Sequence, residues 1–236
     1  MSQRSGKAKG CEPFEMQRFE RLLWDVGYHG VAGVDEVGLG PLAGPVVAAA
    51  VAFPPGGEAV AVADSKKLSP ARRASLDVEI RERALALGLG LVEVEAVDRM
   101  GVYAAGLEAM RRAVRALDPA PDYLLVDARK VPGVEVGQTA FNGADGFISC
   151  VAAASIVAKV YRDRLMVEID KLYPGYGFAS HKGYGTADHL RALRELGPCL
   201  LHRRSFLPVR RLLGGEPPAP SGTRDDATGR PAKGSG

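Results

Sequence analysis

The chain has 236 residues, 46% hydrophobic and 25% charged, with a formal net charge of +3. That length and balance suit one globular domain with a sizeable core; they exclude a low-complexity chain and a polycation whose charge alone would dictate its partner. Its 3 cysteines, Cys11, Cys150 and Cys199, form no CxxC or Cys/His spacing, so neither a disulfide framework nor a structural zinc site is expected, and a cytoplasmic setting is.

In chain order, residues 1–14 are rich in Ser, Lys and Gly and are expected to be flexible. Residues 14–27 read as an amphipathic helix with Phe19, Leu22, Leu23 and Val26 on one side. A strand over 31–34 ends at Asp35-Glu36; after a glycine-punctuated loop, 46–53 reads as a buried strand. The apolar run around 42–53 contains Gly44 and Pro45 and is too short to span a bilayer, so no membrane association is expected. Ser69-Pro70 starts a helix running to about residue 87, and 88–97 alternates like a strand. Residues 103–117 read as a helix with Leu107, Met110 and Val114 inward, and 123–126 as a strand ending at Asp127. A long helix over 147–172 is Ala-rich at its start, which favours close packing, and another over 186–196 is stopped by Gly197-Pro198. Residues 214–236 contain no Leu, Ile, Val, Met or aromatic residue and are expected to be a disordered tail, leaving 15–213 as the catalytic domain. Strands alternating with helices imply an α/β fold with a mixed sheet. Sites in such sheets lie beyond the carboxyl ends of strands, which is where Asp35-Glu36 and Asp127 fall.

Carboxylates gathered at strand ends repel one another, and a divalent cation would offset that cost. Magnesium takes a few carboxylate oxygens, keeps several waters and completes its shell from substrate phosphate. Any one of these acids alone would more ordinarily face water. Adjacent strand residues also point to opposite faces, so Asp35 and Glu36 share a site only if the strand ends, bulges or twists there. The loop Gly38-Leu39-Gly40-Pro41-Leu42-Ala43-Gly44-Pro45 fits a dinucleotide fingerprint badly, because Pro41 and Pro45 prevent the helix that would hold a pyrophosphate. A plain turn, favoured by spacing alone, and a loop whose bare backbone approaches a nucleic acid both remain open. Phosphate donors concentrate in Asp64-Ser65-Lys66-Lys67-Leu68, in Ser180-His181-Lys182-Gly183-Tyr184-Gly185-Thr186 and in His202-Arg203-Arg204-Ser205-Phe206. Tyr184, on a loop between glycines, suits stacking on a sugar or base as well as it suits anchoring the loop.

Taken in order, these segments, with Ala32-Gly33-Val34-Asp35-Glu36, Val126-Asp127 and Ala152-Ala153-Ala154-Ser155-Ile156-Val157-Ala158-Lys159, resemble the ribonuclease HII family of bacterial type from about Val31 to Arg211. The resemblance implies a ribonuclease H-like fold: a five-stranded mixed sheet flanked by helices, with a helical C-terminal part. It implies an Mg2+- or Mn2+-dependent endonuclease that hydrolyses the RNA strand of RNA–DNA hybrids and cuts 5' of ribonucleotides embedded in duplex DNA, leaving 3'-hydroxyl and 5'-phosphate ends. Asp35, Glu36, Asp127 and Asp145 are implied as catalytic metal ligands. Asp163, between Arg162 and Arg164, is read as an ion-pair residue instead. Tyr184 and the backbone at Gly38, Leu39 and Gly40 are implied to select ribose, while Lys66, Lys182, Arg203 and Arg204 are expected to bind duplex phosphates. Two departures stand out: Leu39 replaces the family's usual Arg or Lys, and Asn142-Gly143-Ala144 replaces a segment that usually carries a lysine. A monomer is expected. Rival readings are a resolvase or exonuclease on the same fold, and a non-catalytic hybrid binder; the intact carboxylates argue against the binder.

Overall fold

The computed structural model describes residues 13–57, 60 and 68–214. The N-terminal segment before Pro13, Lys66 and the tail beyond Gly214, for which expectations were given above, lie outside these residues.

Strands β1 (Val31–Val37), β2 (Val46–Ala52), β3 (Ala86–Val92), β4 (Tyr123–Asp127) and β5 (Gly137–Phe141) form one mixed sheet in the order β3-β2-β1-β4-β5. β1 pairs antiparallel with β2, and β2 with β3; β1–β4 and β4–β5 are parallel. β2, Val-Val-Ala-Ala-Ala-Val-Ala, is buried along its whole length, which explains why it lacks the polar alternation of a one-sided strand.

Helices cover both faces. α1 (Pro13–Met16) and α2 (Arg18–Asp25) precede the sheet, where a single helix over 14–27 was expected; the chain breaks at Gln17. α3 (Pro70–Arg83) starts as expected, its N-cap Ser69 hydroxyl accepting from the Arg72 amide at 3.2 Å, but it stops at Arg83 so that Ala86 can enter β3. The strand expected over 88–97 divides into β3 and α4 (Val94–Met100), because pairing with β2 ends at Val92. α5 (Val102–Arg115) packs on one face of the sheet, and α6 (Ser149–Leu172) on the other, with α3 alongside. Glycines set these distances. A Cβ on Gly33 of β1 would lie 2.1 Å from the Cys150 backbone of α6, and Cβ atoms on Gly88 and Gly90 would lie 2.1 and 1.9 Å from the Ala113 and Ala109 carbonyl oxygens of α5.

The C-terminal part is helical: α7 (Phe178–His181), α8 (Ala187–Leu196) and α9 (Leu207–Leu212). Its small cores, around Ala43, Met166 and Phe178 and around Leu42, Leu193 and Val209, clamp the glycine-rich loop against the end of α6. Among the described residues, no helix is long and apolar enough to cross a membrane.

Candidate active site

β1 and β4 run parallel side by side, so their carboxyl ends deliver Asp35, Glu36 and Asp127 to one edge of the sheet. The strand expected to stop before Asp35 continues to Val37, and the acids are paired residues within it. They leave β1 on opposite sides, Asp35 toward α6 and Glu36 toward α5. Both nevertheless line one cavity of about 590 Å³, with Asp127, the backbone of Gly38 to Gly40, Arg73, Ser155, Lys159 and Tyr184. The cavity opens across the tip of the strand, where each side chain reaches it from its own face.

Asp35 and Asp127 are each held by hydrogen bonds. Asp35 accepts from the Glu36 amide at 2.8 Å and from the Ser155 hydroxyl of α6. Asp127 accepts from the Ala144 amide at 2.7 Å, which ties the end of β4 to the short 3-10 turn Ala144–Gly146 that carries buried Asp145. Glu36 Oε2 is buried with no hydrogen-bond partner among the described residues. The electrostatics follow from this crowding. Burial, then the neighbouring Glu36 charge, push Asp35 well above the usual carboxylate range. Burial and the charge of Asp127 raise Glu36 to about 7. The Asp145 charge acts on both.

The donor set fits hard divalent cations: oxygen ligands only, an unsatisfied buried carboxylate oxygen and mutual repulsion that a cation would relieve. Among the described residues, no three His, Cys, Asp or Glu side chains make a ready cage for one ion. An ion that keeps waters and shares the substrate's phosphate needs no such cage.

The glycine loop is no plain turn. Leu42 N–H donates to the Gly183 carbonyl at 2.8 Å, Gly44 N–H to Leu201 at 2.9 Å, and the Arg203 amide to Leu42 at 2.8 Å, so three distant segments are laced together. Gly38 has φ +97°, and a Cβ there would lie 2.6 Å from Arg162 Nε; Gly183, at φ +85°, sits against the Ala43 carbonyl. The loop carbonyls are bound by two buried guanidiniums. Arg162 donates to Pro45, Ala43 and Lys182, and Arg203 to Gly38, Leu39 and Gly44, at 2.6 to 3.2 Å. Burial and then the Arg162 charge lower Arg203 to about 9, so it remains a cation at neutral pH.

This corrects the expectation for Arg203: fully buried, with its donors committed to loop carbonyls, it is not positioned to bind phosphate. Lys182 likewise turns its Nζ to the Ala179 carbonyl. Arg204 is exposed, its amide donating to Asp98 Oδ2 at 2.8 Å. Asp163 pairs with Lys159 at 2.7 Å, outside the carboxylate group. Leu39 packs its side chain on α5, where a Cβ on Gly106 would lie 3.1 Å from Leu39 Cδ2.

Tyr184 is exposed at the cavity rim, 3.6 Å from where a Cβ on Gly40 would stand. Its carbonyl lies 2.9 Å from Nδ1 of buried His189, whose Nε2 meets His202 Nε2 at 3.1 Å. Burial and the neighbouring His189 lower His202 to about 4, keeping the pair neutral. Sequence reasoning assigned no role to Ser155, Lys159 or Arg73. The first two were legible as an i, i+4 polar pair on an Ala-rich helix; nothing in the sequence marked Arg73.

The family profile described as Ribonuclease HII matches residues 32–209. The chain belongs to the ribonuclease HII family. It is 50% identical over 221 residues to ribonuclease HII of Myxococcus xanthus, covering 92% of this chain and 75% of that protein. To ribonuclease HII of Geobacter sulfurreducens it is 53% identical over 196 residues, covering 83% and 90%. Among solved structures, ribonuclease H2 of Pyrococcus horikoshii superposes with a TM-score of 0.64 at 25% identity, covering 77% of this chain and 96% of that one. Ribonuclease HII of Archaeoglobus fulgidus, solved in a complex with PCNA, gives 0.62 at 28% identity, covering 74% and 92%. The ribonuclease H-like fold and the enzyme class, a ribonuclease, follow.

Proposed function

We propose that Asp35, Glu36, Asp127 and Asp145 hold two divalent ions, Mg2+ or Mn2+, and that the enzyme cuts 5' of ribonucleotides embedded in duplex DNA as well as within hybrids. Endonucleolytic degradation of RNA in RNA–DNA hybrids comes with ribonuclease HII membership. The observation that carries the finer assignment is that Asp35, Glu36 and Asp127 line one cavity together with Tyr184 and the backbone of Gly38 to Gly40. Divalent ions held by these carboxylates would supply charge neutralisation at the scissile phosphate and a water of lowered pKa for a hydrolysis that yields 3'-hydroxyl and 5'-phosphate ends. The protein's own part is orientation. Ser155 holds Asp35, the Ala144 amide holds Asp127, and Arg203 fixes the glycine loop whose backbone would contact the ribose. Tyr184, exposed at the rim, would stack on the sugar, whose 2'-hydroxyl distinguishes RNA from DNA.

The test uses two duplexes of one sequence, all DNA or carrying one ribonucleotide, incubated with enzyme and Mg2+. Cleavage is expected only 5' of the ribonucleotide. Absence of cleavage, or equal cutting of both duplexes, overturns the selectivity.

A further inference from the structure

On the α5 side of the carboxylates lies a second, smaller cavity of about 190 Å³, lined by Glu36, Asp127, Leu39, Met110, Tyr103 and Arg129 among others. Its floor is apolar, and its rim carries two exposed side chains. Tyr103, in the first turn of α5, is 66% exposed. Arg129 reaches it because Ala128, at φ +56°, turns the chain back immediately after Asp127, with the Arg129 amide donating to the Asp127 carbonyl at 2.6 Å. The guanidinium lies over the Tyr103 ring, 5.3 Å from its centroid. Among the described residues Arg129 forms no ion pair and no side-chain hydrogen bond, so its donors face solvent beside the acidic site. Its charge still acts on Glu36. The glycine loop has no cation at position 39; Leu39 packs against α5 and lines both cavities.

We propose that Arg129, lying over the Tyr103 ring, is a substrate-binding residue that grips a backbone phosphate of the duplex on the α5 side of the carboxylates. The substrate class is taken from the function proposed above. An unpaired guanidinium presents a planar fork of donors that matches a phosphate, and the aromatic face beneath it reduces the ordering cost of binding. Next to so many carboxylates, a cation on the α5-side rim attracts the substrate's phosphate where repulsion from those carboxylates would otherwise oppose it.

The experiment measures binding of a short DNA duplex containing one ribonucleotide, in EDTA, by fluorescence anisotropy across a salt series, alongside kcat and KM in Mg2+. Arg129→Ala is expected to lower the slope of log Kd against log salt by about 1, the loss of one phosphate contact. KM is expected to rise about 5- to 10-fold while kcat stays within about twofold, the pattern of lost uniform binding. Arg129→Lys should keep the slope, and Tyr103→Leu should weaken binding with the charge intact. An unchanged slope and KM in Arg129→Ala overturns the contact; so does a fall in kcat with an unchanged slope, which would make Arg129 a modulator of Glu36. A parent enzyme that binds the duplex but never cuts it would instead sink the nuclease assignment, leaving the slope to test the phosphate contact by itself.

Discussion

Asp127 concentrates the conflict between stability and function. Its charge helps raise Glu36 to about 7, so a metal-free site at neutral pH works against the fold. Asp127→Asn removes the charge and keeps an oxygen that accepts from the Ala144 amide. Cleavage is expected to fall by at least about a thousandfold, since the proposed metal site would lose a ligand. In EDTA the same variant should be more stable by about 1 kcal/mol, through relief of like-charge repulsion. Added Mg2+ should stabilise the parent more than the variant. Thermal melts with and without Mg2+ check all of this; a variant less stable than the parent in EDTA would show that Asp127 is held by more than its repulsion costs.

Between β1 and α6 there is no space for a side chain at Gly33. Gly33→Ala places a methyl group against the Cys150 backbone and must push the helix outward. A loss of about 3 kcal/mol or more is expected from such overpacking, read as a lower urea midpoint. Because Asp35 lies two residues along β1 and Ser155 five along α6, any variant that still folds should also lose activity. The loop answers to Arg203 in the same way. Arg203→Lys retains a charge but cannot reach the Gly38, Leu39 and Gly44 carbonyls together, so buried acceptors lose their donors. A cost of roughly 2 to 4 kcal/mol is expected, with weaker substrate binding because the backbone at Gly38 to Gly40 is no longer held. An equally stable, fully active Arg203→Lys enzyme would argue against the clamp.

For the whole molecule, pH acts in two directions. Glu36, raised from an unfolded value near 4.5 to about 7, opposes folding above that range, and the cost disappears as pH falls toward 4.5. His202, lowered from 6.5 to about 4, supports the fold at neutral pH and costs stability as pH falls between those values. Glu36→Gln removes the first effect and leaves the second. Measured in EDTA, the variant's stability relative to the parent should therefore drop between pH 7.5 and pH 5, by on the order of 3 kcal/mol at most. Parallel profiles from urea melts at the two pH values would contradict the burial assigned to Glu36.

Some of this was written in the residues themselves. The acids at the ends of two parallel strands, the Ser69 cap and the Gly197 stop are local signals, carried by backbone preference and apolar period, and they survive into the fold. The acidic pair stands at the carboxyl end of β1 as its position implied, although the strand passes through it rather than stopping. Other outcomes depended on distance alone. Arg203 and Arg204 are neighbours of one type, yet tertiary packing buries the first under a loop about 160 residues away in sequence and leaves the second in solvent. β5 is half-exposed, ends the sheet and has little apolar pattern, so only pairing with β4 defines it. Periodicity reports which face of an element is apolar; which chain segment meets that face, and so which charge is desolvated, is decided only when the elements pack.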